Sequence, residues 1–124
     1  MKVTGKVVSG IGEGKFFLSM EHYKNEIKNK LKMQVYPGTL NIDTGKHIYE
    51  FNKLSPIRID GYTKDGKIFG GATCYMAKIN NIECAIIVPD ITRHSKNMVE
   101  LIANEHLRSK LNLKDNDDIE VVVK

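Results

Sequence analysis

The sequence has few of the features that mark membrane, secreted or zinc-binding proteins. No apolar run among its 124 residues is long enough to span a bilayer, and the first residues lack a secretory signal pattern. Its two cysteines, Cys74 and Cys84, both lie in apolar surroundings, which predicts two reduced core thiols. The four histidines do not have the spacing of zinc ligands. These absences predict a cytoplasmic protein with no membrane segment and no catalytic zinc.

Motifs for the common nucleotide folds and for DNA binding are missing as well. The glycine-rich stretch 10–15 has neither the dinucleotide-binding spacing nor the P-loop spacing. The net charge of +4 favours an anionic ligand, either a nucleotide or a nucleic acid. The lysines are nevertheless spread along the chain, dense only over 24–32, so no DNA-binding stripe is evident. Because no repeat, linker or low-complexity segment divides the sequence, we expect one domain over residues 1–124.

Hydrophobic periodicity predicts a mainly β protein. Many short strands follow one another at nearly regular spacing, separated by turn signals such as Asp65-Gly66. Helical spacing of apolar residues predicts one helix over Met20–Leu31 and a second from about Asn97 to Lys110. This pattern indicates a small closed β-barrel with two outer helices packed against it.

The chain is organised around a turn and a strand at residues 36–42. Pro37-Gly38 predicts a turn, and an alternating strand follows it. Side chains two apart leave the same face of a strand, so Thr39 and Asn41 point together while Leu40 points into the core. Two neutral oxygens suit Mg²⁺ when nucleotide phosphates supply the charge and water completes the octahedron. The alternative is a strand edge whose polar side faces solvent.

Two further groups of residues suggest ligand chemistry. Alternating glycines at 10, 12 and 14 let the backbone approach a bulky anion, and Lys15 can meet phosphate directly. A glycine-rich turn without a ligand is the alternative. On the predicted second helix, Glu100, Asn104 and Arg108 form one polar stripe. Glu100 can instead cap that helix together with Asn97, and Arg108 can simply pair with Glu105 or Asn104 at the surface.

Four stretches carry a family likeness when they are taken together and in order. They are Gly10-Ile11-Gly12-Glu13-Gly14-Lys15-Phe16-Phe17-Leu18-Ser19, Pro37-Gly38-Thr39-Leu40-Asn41, Val88-Pro89 with Thr92-Arg93-His94-Ser95, and Glu100-Leu101-Ile102-Ala103 to Leu107-Arg108. The chain thereby resembles the archaeal CTP-dependent riboflavin kinases over almost its whole length. One departure is Asn116, which stands where this turn commonly has glycine; asparagine tolerates the left-handed conformation.

The resemblance implies a six-stranded cradle-loop barrel that phosphorylates riboflavin to FMN, with CTP as the donor and Mg²⁺ as the cofactor. It implies that Thr39 and Asn41 hold the Mg²⁺ and that Thr92 and Glu100 contact the flavin. The residues implied in nucleotide binding are Gly10, Ile11, Gly12, Glu13, Gly14 and Lys15 around the phosphates, with Glu105, His106, Leu107 and Arg108 completing the pocket. The expected partners are CTP and riboflavin or FMN, with no nucleic acid and no membrane, and the expected state is a monomer.

Phosphoryl transfer of this kind depends on positioning and on charge neutralisation more than on covalent chemistry. Glu100 is the candidate general base. The flavin ring needs a flat apolar wall, and Tyr36, Tyr75 or Phe17 can supply it. Two other classes of function stay open at this stage. One is a nucleic-acid-binding barrel from the related transcription-factor group, and the other is a module that binds FMN without kinase activity.

Overall fold

The fold is described here from a computed structural model covering residues 1–10, 12–51, 54–91 and 97–124. Within these residues the chain forms nine strands and three short helices. The strands are β1 (Lys2–Val8), β2 (Leu40–Asp43), β3 (Ile57–Ile59), β4 (Tyr62–Lys64), β5 (Lys67–Phe69), β6 (Ala72–Ile79), β7 (Ile82–Pro89), β8 (Met98–Ala103) and β9 (Asp118–Val123). The helices are α1 (Glu13–Leu18), α2 (Glu21–Leu31) and α3 (Leu107–Lys110).

Six antiparallel strands close into a barrel in the order β6-β7-β8-β2-β1-β9. The barrel closes where β9 returns to β6, pairing Val123 with Ala77 and Val122 with Lys78. Strand β3 extends the sheet by pairing with β6 outside the barrel, and β4 and β5 form a separate hairpin. The predicted closed six-stranded barrel in a mostly β protein is therefore confirmed.

Apolar side chains at alternate strand positions fill the barrel interior, which we call the inner core. Strand β1 contributes Val3 and Val7, and β2 contributes Leu40 and Ile42. These side chains point inward because residues two apart share one face of a strand. Residues between them point to the outer wall of the barrel.

A second apolar cluster, the outer core, lies between the barrel wall and helix α2. As predicted, α2 is amphipathic and buries Tyr23, Ile27 and Leu31 on one face. These residues pack against the outward-facing side chains of strands β6, β7 and β8, including Cys74 and Ile102. The three central strands are therefore buried on both faces.

The predicted second helix over 97–110 is wrong for most of its length. Residues Met98–Ala103 form strand β8, and helix α3 covers only the four residues Leu107–Lys110. Strand β8 lies between β2 and β7, with Leu101 in the inner core and Ile102 in the outer core. A strand buried on both faces lacks polar alternation, and its short apolar run resembles one side of a helix.

Because β8 replaces most of the predicted helix, the polar stripe that the sequence suggested does not form. Glu100 is in strand β8, while Arg108 belongs to α3 and Asn104 lies between the two elements. The three side chains do not share a helical face. Glu100 also has no helix to cap, so the capping role considered for it is wrong.

Other local expectations are confirmed. Asp65 and Gly66 both have positive φ and join β4 to β5, as the hairpin signal indicated. Asn116 has a φ of 73°, the left-handed conformation that asparagine tolerates. Cys74 and Cys84 are buried and unpaired, and burial raises the pKa of each thiol to about 12. No helix in the described ranges is long and apolar enough to cross a membrane.

Candidate functional site

The polar pair at strand β2 lies on the outer wall of the barrel, as its spacing predicted. Leu40, between Thr39 and Asn41, is buried in the inner core. Asn41 is nevertheless only 6% exposed, and β2 is paired with both β1 and β8. The alternative of a solvent-facing strand edge is therefore wrong.

The side-chain oxygen of Asn41 has no hydrogen-bond partner in the described part of the chain. Among the described residues, this Oδ1 is the one buried side-chain oxygen or nitrogen left unsatisfied. An unpaired buried acceptor costs free energy, so such an atom indicates a missing partner. An amide oxygen beside the Thr39 hydroxyl fits a hard cation such as Mg²⁺. No cluster of three acidic, histidine or cysteine side chains able to hold a metal occurs in the described ranges, so substrate oxygens would have to complete such a site.

The glycine-rich segment packs directly onto this pair. A Cβ added to Gly10 would lie 2.3 Å from Nδ2 of Asn41, and one added to Gly14 would lie 2.9 Å from Oγ1 of Thr39. Only glycine allows the backbone to come this close. Two of the alternating glycines are thus explained by contact with the polar pair, and the segment ends in helix α1, which begins at Glu13.

Glu100 belongs to the same group of side chains. It lies opposite Asn41 in the pairing of β2 with β8. The hydroxyl of Thr39 donates a hydrogen bond to its Oε1 at 3.3 Å. A hydroxyl, an amide oxygen and a carboxylate therefore meet at one point of the outer wall.

This polar group closes one end of a largely apolar cavity of about 350 Å³, which we call the outer cavity. The cavity lies between the barrel wall, helices α1 and α2 and the β4–β5 hairpin. Its lining consists of Gly14, Phe16, Phe17, Leu18, Tyr23, Ile27, Thr39, Ile59, Ile68, Phe69, Gly70, Gly71, Ala72, Ile87, Pro89, Ile91 and Glu100. Its size falls within the range of about 300–1,000 Å³ that is common for small-molecule sites.

Hydrogen bonds fix the cavity wall around Gly70 and Gly71. The Tyr23 hydroxyl donates to the Gly70 carbonyl, and burial raises the pKa of this phenol. The backbone N–H of Asp90 donates to the Gly71 carbonyl at 3.0 Å. Arg58 holds the Asp90 carboxylate with both of its terminal nitrogens, and this contact lowers the pKa of Asp90.

A much smaller and more polar recess, the cleft, opens on the other side of Thr39. Tyr36 and His106 stack there with ring centroids 4.9 Å apart, and Glu105 and Arg108 complete its rim. Thr39 is the one described residue that lines both recesses. The 105–108 segment and the glycine-rich segment thus lie on the two sides of the same polar group.

Asp115 connects the two segments that the resemblance assigns to the nucleotide. It accepts a hydrogen bond from Arg108 at 2.8 Å and another at 3.3 Å from Ser9, the residue before Gly10. Arg108 therefore pairs with Asp115. The sequence had suggested Glu105 or Asn104 as its partner, and that expectation is wrong. Glu105 pairs with Lys110 instead. No local pattern indicated Asp115, because helix α3 ends at Lys110 before it and its other partner, Ser9, lies 106 residues away in the chain.

The structure separates the three aromatic candidates for a flavin wall. Phe17 lines the outer cavity and Tyr36 lines the cleft. Tyr75 packs against the inner core beside Phe51, away from both recesses. Sequence analysis also missed Ile68 and Ile91, which are exposed aliphatic residues in short connecting elements.

The remaining predicted site residues are placed as follows. Lys15 is an exposed residue of helix α1, and Leu107 is buried in the inner core beneath the cleft. Gly12 precedes α1 and takes a positive φ of 84°. Ile11 and Thr92 lie outside the described residues.

Comparison with known proteins gives one consistent family. A family model named CTP-dep_RFKase, described as "Domain of unknown function DUF120", matches residues 7–123. A riboflavin kinase of Pyrobaculum aerophilum is 39% identical over 127 residues, covering 99% of this chain and 60% of that protein. A riboflavin kinase of Methanosarcina acetivorans is 35% identical over 128 residues, covering all of this chain and 54% of that protein.

One relative has nearly the same length as this chain. The riboflavin kinase of Methanococcus vannielii is 40% identical over 127 residues, which cover 98% of this chain and 97% of that protein. The chain spans about three fifths of the length of the Pyrobaculum relative. By the match of its sequence over 7–123 and by these relatives, the chain belongs to the family of CTP-dependent riboflavin kinase domains.

Proposed function

We propose that this protein transfers the terminal phosphate of CTP to the ribityl 5′-hydroxyl of riboflavin, giving FMN and CDP. The observation that carries the proposal is the position of Thr39, where the outer cavity and the cleft meet. A kinase must bring an acceptor and a phosphate donor together at one point. Here an apolar cavity and a charged cleft share the Thr39 hydroxyl, which lies beside the Glu100 carboxylate and the buried amide oxygen of Asn41.

The outer cavity suits riboflavin as the acceptor. Its body is apolar and includes the Phe17 ring, which gives a flat wall for the flavin ring. Its polar end holds Thr39 and Glu100, where a ribityl chain finds hydrogen-bond partners. A flavin bound in this direction brings its terminal hydroxyl to the polar group.

The cleft itself holds only about 10 Å³, so its rim and the glycine-rich segment are what offer groups to a nucleotide donor. Arg108 supplies a guanidinium at the cleft, and Lys15 supplies an exposed ammonium on helix α1. Gly10 and Gly14 bring backbone against Asn41 and Thr39, so a phosphate at this pair would also meet the glycine-rich segment. The choice of CTP over other triphosphates follows from the family alone.

Thr39 and Asn41 are the residues that would hold Mg²⁺. The unpaired Oδ1 of Asn41 is the observation that supports this assignment. When bound, the ion neutralises negative charge on the phosphates during transfer.

In the transfer, the ribityl oxygen forms a bond to the terminal phosphorus, and the bond from that phosphorus to the CDP oxygen breaks. The proton of the hydroxyl passes to a base, for which we propose Glu100, since its carboxylate lies beside Thr39 at the polar end of the cavity. By accepting a hydrogen bond from the ribityl hydroxyl, Glu100 also orients that hydroxyl for attack. A loose transition state needs little assistance from a base, so positioning contributes more than proton transfer.

The test is to incubate the protein with riboflavin, Mg²⁺ and each nucleoside triphosphate separately, and to measure FMN by chromatography. We expect FMN to form much faster with CTP than with ATP or GTP. Equal rates with ATP would reject CTP as the specific donor and leave a kinase. Absence of FMN with every donor would reject the kinase and favour a binding module.

A further inference from the structure

The two most exposed large apolar side chains in the described residues both line the mouth of the outer cavity. Ile68 is 83% exposed and Ile91 is 78% exposed. They come from separate parts of the chain, since Ile68 is in strand β5 and Ile91 follows strand β7. Exposed apolar groups gathered at one opening are typical of a ligand-binding groove.

Ile68 is held in place by the opposite face of its own hairpin. Neighbouring residues of a strand point to opposite faces, so Phe69 turns away from Ile68. The Phe69 ring stacks on Tyr62 with centroids 5.0 Å apart, and Tyr62 stacks on His22 of helix α2 at 4.3 Å. This row of rings fixes the hairpin against the helix and leaves Ile68 at the cavity mouth.

Ile91 is held by the residue before it. Asp90 is tied to Arg58 through its side chain and to Gly71 through its backbone N–H. The Ile91 side chain lies against Gly70, where an added Cβ would be 3.7 Å from its terminal methyl carbon. Both isoleucines are β-branched and therefore stiff at χ1, so little conformational freedom is lost when a ligand covers them.

We propose that Ile68 and Ile91 contact the ring of bound riboflavin and determine how tightly the ring is held. This inference rests on the proposed riboflavin site. The polar end of the cavity at Thr39 and Glu100 would take the ribityl chain, so the ring occupies the apolar remainder. Its uncovered edge then lies at the mouth, against two side chains that otherwise remain in water.

Ile68→Ala and Ile91→Ala are the variants that test this role, and Ile48→Ala is the matched control. Ile48 is also an exposed isoleucine, at 54%, but it does not line the outer cavity. Riboflavin affinity is measured from the change in flavin fluorescence on titration with protein, without nucleotide. We expect each cavity variant to raise the riboflavin Kd about fivefold, because the ring edge covers only part of the three carbons that are lost. We expect the control to bind like the wild type. Leucine at either position should recover most of the affinity.

A ring compound without the ribityl chain, 7,8-dimethylalloxazine, shows which part of the ligand is contacted. The two alanine variants should weaken its binding by the same factor as they weaken riboflavin binding. Glu100→Gln should weaken the binding of riboflavin but not of the ring compound, because Glu100 lies at the ribityl end. The KM for CTP should stay at its wild-type value in both isoleucine variants.

Three results would overturn the proposal. If both alanine variants bind riboflavin within twofold of the wild type, the contact is absent while the proposed function stands. If the KM values for CTP and riboflavin rise together, the substitutions distort the site in general and the specific contact is rejected. If the wild-type protein neither binds nor phosphorylates riboflavin, the proposed function fails and this inference fails with it.

Discussion

The outer cavity and the cleft lie on either side of Thr39 and are built in different ways. Apolar packing forms the cavity, whose walls come from the outer core, two helices and a hairpin. The cleft has a charged rim, where Arg108 is fixed by an ion pair with Asp115. Apolar burial is insensitive to salt, whereas exposed ion pairs are screened. The two recesses should therefore respond differently to mutation and salt, and only the residues between them should affect both.

The largest effect is expected where the two recesses meet. Thr39→Ala and Asn41→Ala should each lose most of the kinase activity, because each removes an oxygen from the same proposed Mg²⁺ site. Raising the Mg²⁺ concentration should recover part of the activity, since occupancy of a weakened site follows mass action. Thr39→Ser keeps the hydroxyl and should be the mildest change. Initial rates across a Mg²⁺ titration measure all three variants.

Thermal melts of the same variants separate the site from the fold. The Oδ1 of Asn41 has no partner among the residues that the structure describes, so replacing Asn41 should destabilise the protein little. Leu40, buried in the inner core, is the contrasting control: Leu40→Ala should lower the free energy of unfolding by roughly 2–5 kcal/mol. Near-normal activity of both polar variants at low Mg²⁺ would contradict the proposed Mg²⁺ site.

A second prediction tests whether the glycine-rich segment acts through the polar pair. Gly10→Ala places a methyl group 2.3 Å from the Asn41 amide, so that side chain must turn away. We expect activity to fall as far as it does in Asn41→Ala. The double variant should be no worse than either single variant, because both changes remove the same interaction. Additive losses would instead mean that Gly10 serves the ligand independently of Asn41.

The third prediction compares the two recesses directly. Arg108→Gln should raise the KM for CTP several-fold and leave riboflavin affinity unchanged, since Arg108 lines only the cleft. Glu100→Gln should lower turnover or riboflavin binding and leave the KM for CTP near its wild-type value. The Arg108 effect should shrink at high salt, because screening weakens exposed charge contacts. Steady-state kinetics at two ionic strengths measure both variants, and a KM for CTP that rises equally in both would contradict the division.

The sequence predicted the barrel and the polar pair because both depend on local patterns. Turn residues such as Asp65-Gly66 and alternating apolar residues in β2 specify short-range geometry. Helix α2 was also predictable, since its buried residues recur at helical spacing on one face. Each of these signals lies within a window of a few residues.

Long-range contacts were not predictable in this way. Strand β8 was mistaken for a helix because it is buried on both faces, a property that depends on where the strand lies in the sheet. The contact of Ser9 with Asp115, and the meeting of Ile68 with Ile91 at one cavity mouth, join residues far apart in the chain and follow from the packing of the barrel and the hairpin. No local spacing in the sequence contains that information.

The smallest expected effect concerns the ion pair of Arg58 and Asp90, which adjoins Gly71 in the wall of the outer cavity. Arg58 lowers the pKa of Asp90 below its usual value of 3.8. A carboxyl group whose pKa is lower in the folded state stabilises the fold above its unfolded pKa, and that contribution is lost as the pH falls through the folded pKa. Asp90→Asn should therefore lower Tm by about one or two degrees at neutral pH, because both side chains are about half exposed.

The same variant should match the wild type once the pH is low enough to protonate Asp90. The difference in Tm should be complete above about pH 5 and should shrink as the pH falls below 3.8 toward the lowered pKa of the folded state. It should also shrink in high salt, as expected for an exposed pair. Riboflavin affinity should fall slightly at neutral pH, because the ion pair with Arg58 holds Asp90, and with it the neighbouring Ile91, at the cavity mouth. Thermal melts from pH 3 to pH 8 measure the Tm difference between the variant and the wild type. A difference that grows on acidification would show that Asp90 stabilises the fold by some other contact.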